Sequence, residues 1–279
     1  MAELMEEYGV SGAADARSNG NAALIRASTD GNVTFVRYLR EQLGLNADDA
    51  RANANAALRA AVAGGRLAVM RELRTGYGLA ADDARASANA ALQSAAMRGQ
   101  LAALRELHDG YGLTADDARA NSNTALTSAI TSARLDIAQY LHDTFGLTAD
   151  DARAKSNFAL KDAAMRGNIA SLRLLHDTFG LTADDARSDG NDAIKRAIAG
   201  IRGESLRYLR EAFGLAAADA RADPAALKAL GARTQPFASM QKLPMQIASA
   251  VKELIDGYGL APADLGIDDA TAQKARDSA

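Results

Sequence analysis

The sequence predicts an all-α fold built as an array of short repeated helices. Three columns of residues carry that expectation. Asn21, Asn55, Asn89, Asn123, Asn157 and Asn191 lie 34 residues apart, and Gly44, Gly78, Gly112, Gly146, Gly180 and Gly214 keep the same step. The tripeptide Asp-Ala-Arg ends at Arg17, Arg51, Arg85, Arg119, Arg153, Arg187 and Arg221, again 34 apart. Repetition at this length marks a solenoid or array. The stretch HDTFGLTADDAR even recurs letter for letter, at His142–Arg153 and His176–Arg187.

Residues 1–17 read as a partial N-terminal repeat, a second helix and loop, because Leu4, Tyr8 and Gly9 align with Leu107, Tyr111 and Gly112. This half unit is expected either to cap the array or to be part of a longer one. Residues 18–221 hold six units of 34 residues. In the unit from Asn89 to Ser122, NAALQSAAMR puts Leu92, Ala95 and Ala96 on one helical stripe. Asn89 is placed to cap its start by accepting from free backbone N–H groups. Gly99 is placed to close it in a left-handed conformation. A second helix, LAALRELHDGY, has Leu101, Leu104, Leu107 and Tyr111 on one face. Gly112 ends it, and Leu113 is expected to fold back on the last turn. In the remaining GLTADDARANS, Thr114 to Asp117 has capping-box spacing with Asp in place of Glu or Gln. Two carboxylates at its start and Arg119 toward its end suit the helix dipole. TADDARA is therefore predicted as a short third helical turn.

Helices of about ten residues are not stable alone in water. Each must bury its stripe on the next unit, at roughly 1.5–3 kcal/mol per buried Leu before entropy. Stability then accumulates through neighbour contacts. The recurring letters are those that every unit needs for the same local task.

A 34-residue period also suits tetratricopeptide repeats, but glycines cut this unit into pieces of about 10, 11 and 11 residues, too short for two long helices. GNAALIRASTDGNVTFVRYLREQLG, from Gly20 to Gly44, resembles the ankyrin repeat. Ala23-Leu24, Ala27, the inter-helix Gly31, the apolar Phe35, Val36 and Leu39, and the closing Gly44 carry the resemblance. The unit is one residue longer than usual, and GLTADDARA stands where the family has its β-hairpin tip. That variant is similar to ankyrin-type arrays of large DNA viruses and of some protists and algae. The resemblance implies an all-α, ankyrin-like helical solenoid with β-hairpin tips replaced by short helical turns.

After Arg221 the pattern weakens. Asp223-Pro224 reads as an N-cap followed by Pro at the first helical position. VKELIDGYGLAPADL restores the second-helix pattern, with extra residues around ARTQPFASMQKLPMQ. Residues 222–265 are read as a divergent C-terminal capping repeat, and 266–279 as a frayed polar tail.

Of the residues, 48% are hydrophobic, 24% charged and only 5% aromatic, and the first 220 contain no proline. The net charge of −3 gives no general attraction to nucleic acid or anionic membranes. No cysteine is present, which excludes disulfides and thiolate metal sites. The start, MAELMEEYGV, is no signal peptide. The expected setting is intracellular, in the cytoplasm.

His108, His142 and His176 share one column, which Arg40, Arg74 and Arg210 fill in other units. They read as exposed positions near a helix C-terminus, where a cation is favoured, rather than as metal ligands. Neighbouring units about 10 Å apart are too distant for one zinc to bridge them. The Asp-Ala-Arg rows read as caps and a salt-bridge ladder. Identical environments are the opposite of what a catalytic carboxylate pair needs. No cofactor, no metal and no enzymatic activity are expected.

Positions that vary while the columns hold are the candidates for meeting a partner. The ends of the first helices give Met97, Arg98, Thr131, Ser132, Met165 and Arg166, and the loop column gives Asn121 and Lys155. Met and Arg suit adaptable binding surfaces. Phe158 stands where other units have Ala, Thr or Asp, either packed at a seam or exposed as an anchor. The resemblance implies binding of a protein partner through the concave face. The alternative is a structural scaffold segment that stacks end to end, self-associating through its terminal repeats, or docks in a larger assembly.

Overall fold

The structure, a computed structural model, describes all of residues 1–279. It is helical throughout, without strands, and forms two compact units, Met1–Leu147 and Thr148–Ala279.

The first unit contains α1 (Ala2–Glu7), α2 (Ala13–Asp30), α3 (Val33–Glu41), α4 (Ala47–Ala63) and α5 (Leu67–Thr75). It continues with α6 (Ala81–Ala84), α7 (Ala86–Arg98), α8 (Leu101–Arg105), α9 (Ala115–Thr131) and α10 (Leu135–Asp143). A π turn, Glu106–Gly110, prolongs α8. First helices pack on first helices, α2 on α4, α4 on α7 and α7 on α9, while α3 meets α5 and α5 meets α8. Leu58, Val62, Met70, Leu73, Leu92, Leu104 and Leu107 are fully buried between them.

The long helices are not continuous. In α4, Ala52 is extended (ψ 147°), and Asn53, Ala54 and Asn55 follow with φ of 53°, 56° and 58°. The same three-residue left-handed turn interrupts α2, α7 and α9. It joins the predicted third helical turn to the next first helix. Asn tolerates positive φ better than most residues, which accounts for its recurrence here. The capping role expected for the Asn column is thereby corrected. The buried Asn21 sits at the end of the left-handed turn, and its Nδ2 donates to the Asp49 carbonyl at 3.1 Å. Its Oδ1, like those of Asn55, Asn89 and Asn123, accepts no hydrogen bond.

The third helical turn is capped by its second Asp. Asp117 Oδ2 accepts from Thr114 N at 2.8 Å, and Asp49 and Asp83 do the same for residues 46 and 80. The box is reciprocal only at Asn46, whose Oδ1 accepts from Asp48 N and Asp49 N. Thr114 instead donates its hydroxyl to Asp117 at 3.1 Å. Each capping Asp also receives an Arg from the preceding repeat, Arg51 on Asp83 and Arg85 on Asp117, both at 2.8 Å.

Both predicted glycine stops form. Gly99 has φ +74°, as does Gly112, and Leu113 N reaches back to Leu107 O at 3.1 Å. The Gly31, Gly65, Gly99 column holds the left-handed position after each first helix, but Ala133 occupies it with φ 55°. A non-glycine residue there costs about 1–2 kcal/mol, offset in part by the chain entropy a glycine would lose. Ala133→Gly is therefore expected to raise stability by about 0.5–1 kcal/mol, read as a higher urea midpoint. An unchanged or lower midpoint would contradict the strain.

The second unit contains α11 (Ala149–Ala152), α12 (Ala154–Arg166), α13 (Ile169–Arg173), α14 (Ala183–Ala199), α15 (Gly203–Glu211) and α16 (Ala217–Arg221). α17 (Pro224–Ala232), α18 (Met245–Lys252) and α19 (Asp269–Ser278) complete it. Its repeats show the same left-handed turn, at Lys155–Asn157 and Asp189–Asn191, and the same ladder, Arg153 on Asp185 and Arg187 on Asp219. Asp223 caps α17 by accepting from Ala226 N at 3.0 Å.

The segment read as a frayed tail is corrected. Residues 269–278 form α19, which packs on α18 and buries Ala272 and Ala275. Asp268 caps it through Thr271 N at 2.7 Å, and Lys274 Nζ reaches Ala238 O at 2.7 Å. The small apolar stripe was hidden by the polar residues around it.

Candidate protein-binding surface

The ends of the first helices are closed by the repeat that follows. Arg66 Nε donates to Thr29 O at 3.0 Å, and in the second unit Arg202 Nε donates to Met165 O at 3.1 Å. A basic side chain thus satisfies a terminal carbonyl of the preceding helix. The backbone there is engaged.

In the first unit, Met97 and Arg98 end α7 and are exposed, Met97 by 48%. Thr131 and Ser132 hold the matching place on α9, against which α7 packs. Thr131 bonds within its own helix, its hydroxyl donating to Thr127 O at 2.9 Å. Asn121 lies at the other end of that helix. The ten-position offset between Asn121 and Thr131 places the two roughly 12–15 Å apart, so helix-end and loop columns do not form one patch. Asn121 has φ 54° and donates from Nδ2 to Ala88 O at 3.2 Å. Asn53 makes the equivalent bond to Gly20 O. The loop column thus serves the joint between repeats.

In the second unit, Met165 (44% exposed) and Arg166 end α12, and Lys155 is exposed at its opposite end in a left-handed conformation. Arg166 Nε is held by both Asp162 oxygens, at 2.9 and 2.8 Å, and that carboxylate raises its pKa above the ordinary value. Phe158 is exposed rather than packed at a seam.

Beside Arg166 runs a groove of about 260 Å³, lined by Ile201, Arg202, Glu204, Met245 and Ser249 among others. Met245 is 74% exposed. Ile201 and Met245 lie outside the helix-end and loop columns of the repeat. The signal for Met245 was an apolar residue in the inserted segment, outside the repeat pattern.

His108 and His176 stand on seams between repeats of their own units, against Phe145 and Phe213. His108 Nδ1 lies 2.8 Å from Asp109 Oδ1, and His176 Nδ1 lies 2.7 Å from Asp177 Oδ1. Their side chains are about one-third exposed. No group of three or more His, Asp and Glu side chains is arranged to hold a metal ion. No helix is long and apolar enough to cross a membrane.

A scan against protein-family models finds no match, and a search of curated proteins finds no significant relative.

Proposed function

We propose that this chain is a protein-binding module, an ankyrin-like helical solenoid that engages its partner through the exposed ends of its first helices. The observation that carries this reading is the contrast at those ends. The carbonyls of Thr29 and Met165 are taken by the following repeat, while Met97 and Met165 expose 48% and 44% of their surface. Flexible thioether side chains beside arginines fit adaptable protein contacts. The groove beside Arg166 extends the surface with Ile201 and Met245. The reading includes an intracellular setting, six units over residues 18–221, and no chemistry of the chain's own.

The test is affinity capture from the native source with the parent chain and with Met97→Ala, Arg98→Ala and Met165→Ala combined. The combined variant is expected to keep its helical circular dichroism and to lose most of the captured partner. Full capture by a folded variant would remove this surface. Mass in solution across a concentration range addresses the scaffold alternative: growth with concentration favours end-to-end stacking, and a constant monomer opposes it.

A further inference from the structure

The seams between second helices are of two kinds. In the first, arginines meet a Glu and a Tyr of the next repeat. Arg37 Nε donates to Glu72 Oε2 at 3.2 Å and Arg40 Nε to Glu72 Oε1 at 2.9 Å. Arg71 and Arg74 divide the oxygens of Glu106 in the same way, at 3.0 and 3.2 Å. Arg210 reaches Glu253 at 2.8 Å. At the same seams the hydroxyls of Tyr77, Tyr111 and Tyr258 donate to the carbonyls of Val36, Met70 and Leu206, at 2.9, 2.8 and 2.8 Å.

In the second kind, His replaces the Arg. His108 meets Phe145 edge to face with ring centroids 4.8 Å apart, and His176 meets Phe213 at 5.0 Å. Tyr140 and Tyr208 hold the Glu position, and Phe holds the Tyr position. The sequence repeats this set at His142, followed by Leu174 and Phe179. Arg is thus followed by Glu and Tyr at 40, 74 and 210, and His by Phe without Glu at 108, 142 and 176.

Burial gives the reason for the pairing. The Glu72 and Glu106 side chains are only 8% exposed. A buried carboxylate is tolerated when its oxygens are paired, and loss of one partner leaves part of its charge uncompensated. A His ring needs no such acceptor and stacks on an apolar ring. An Arg placed there would keep the exposed Asp109 or Asp177 beside it but would meet a phenyl ring where the Arg seams supply a buried carboxylate.

We infer that these three positions are a matching code, which admits a Glu-and-Tyr repeat after an Arg repeat and a Phe repeat without Glu after a His repeat. The code restricts which units can follow one another among units that are otherwise nearly identical. It penalises the misdocking to which repeat proteins are prone. It is independent of the partner surface proposed above.

The test uses the full chain and its apparent melting midpoint. Arg74→His is made alone, Glu106→Tyr with Tyr111→Phe is made without it, and all three are then combined. Each half is expected to lower the midpoint by about 5 °C or more. The combination should return to within about 2 °C of the parent. The reverse conversion, His108→Arg with Tyr140→Glu and Phe145→Tyr, should behave alike. If either half fails to fold, a combined variant that folds upholds the code. Losses that add in the combined variants, or combined variants that fail to fold, overturn it.

Discussion

Asp117→Ala is expected to lower unfolding stability by about 2–3 kcal/mol, far more than an ordinary surface aspartate. One carboxylate makes two kinds of bond. Its Oδ2 accepts from Thr114 N at 2.8 Å and closes the start of a helix. Its two oxygens receive Arg85 Nε and Nη2 from the preceding repeat, at 2.8 and 3.1 Å. Loss of a cap costs about 1 kcal/mol, and charge-assisted bonds contribute about 1.5–3 kcal/mol. Arg85 keeps access to water, so its release adds little. Urea denaturation at pH 7 measures the loss. A change under 0.5 kcal/mol would show that the ladder is surface ornament of the kind exposed ion pairs often are.

The same aspartates set an acid limit. Burial pushes the Asp83, Asp117, Asp185 and Asp219 carboxyls up, but the facing arginines and the capped backbone N–H groups outweigh it. The result lies below the ordinary 3.8. A depressed folded value means stability that is complete above the unfolded value and lost as pH falls through the folded one. Stability is thus expected to hold from neutral pH to about 4 and to drop below it. Asp117→Ala should make that acid limb shallower, as one titrating site is gone. An acid limb equal to the parent's would assign the loss to other groups.

The glycine stops at Gly99 and Gly112 were legible because each rests on a local rule with one outcome, and the period and the Asp-Arg ladder because the same letters recur in every unit although the ladder's partners lie 32 residues apart. The Asn column was not. Asn suits both an N-cap and a left-handed residue, and only the φ of 61° at Asn89 decides between them. Ala133 and Ile201 show the same limit: they take left-handed positions that their own chemistry disfavours, because the neighbouring helices fix the turn. Glu72 and Glu106 went unread because their arginines lie 32 and 35 residues upstream. That spacing acquires meaning only once the facing sides of successive second helices are known. At the candidate surface, the exposure of Met97 and Met165 followed from their place at a helix end. The separation of Asn121 and Lys155 from them did not, since it depends on a whole helix lying between the two columns.

Gly231→Ala is expected to destabilise the second unit by about 2–4 kcal/mol, against the usual sign of such a change. Gly231 lies within α17, where Ala would ordinarily gain about 0.5–1 kcal/mol over Gly. A Cβ here would stand 1.9 Å from Leu265 O and 2.9 Å from Leu265 C. These are backbone atoms of the 3-10 turn Pro262–Leu265, which packs against α17. The turn has little room to yield. Leu265 is fully buried, and Asp264 is fixed by Arg221 Nη2 at 3.1 Å and by Ala261 N at 2.9 Å. Relief of the clash must therefore separate α17 from the turn or break the last rung of the ladder. Overpacking of this kind costs about 1–3 kcal/mol and occasionally more. Urea denaturation should show the loss, and hydrogen exchange should place it in α17 and the turn. A gain in stability would mean that the glycine is not needed for close approach, and that α17 and the turn are further apart than described.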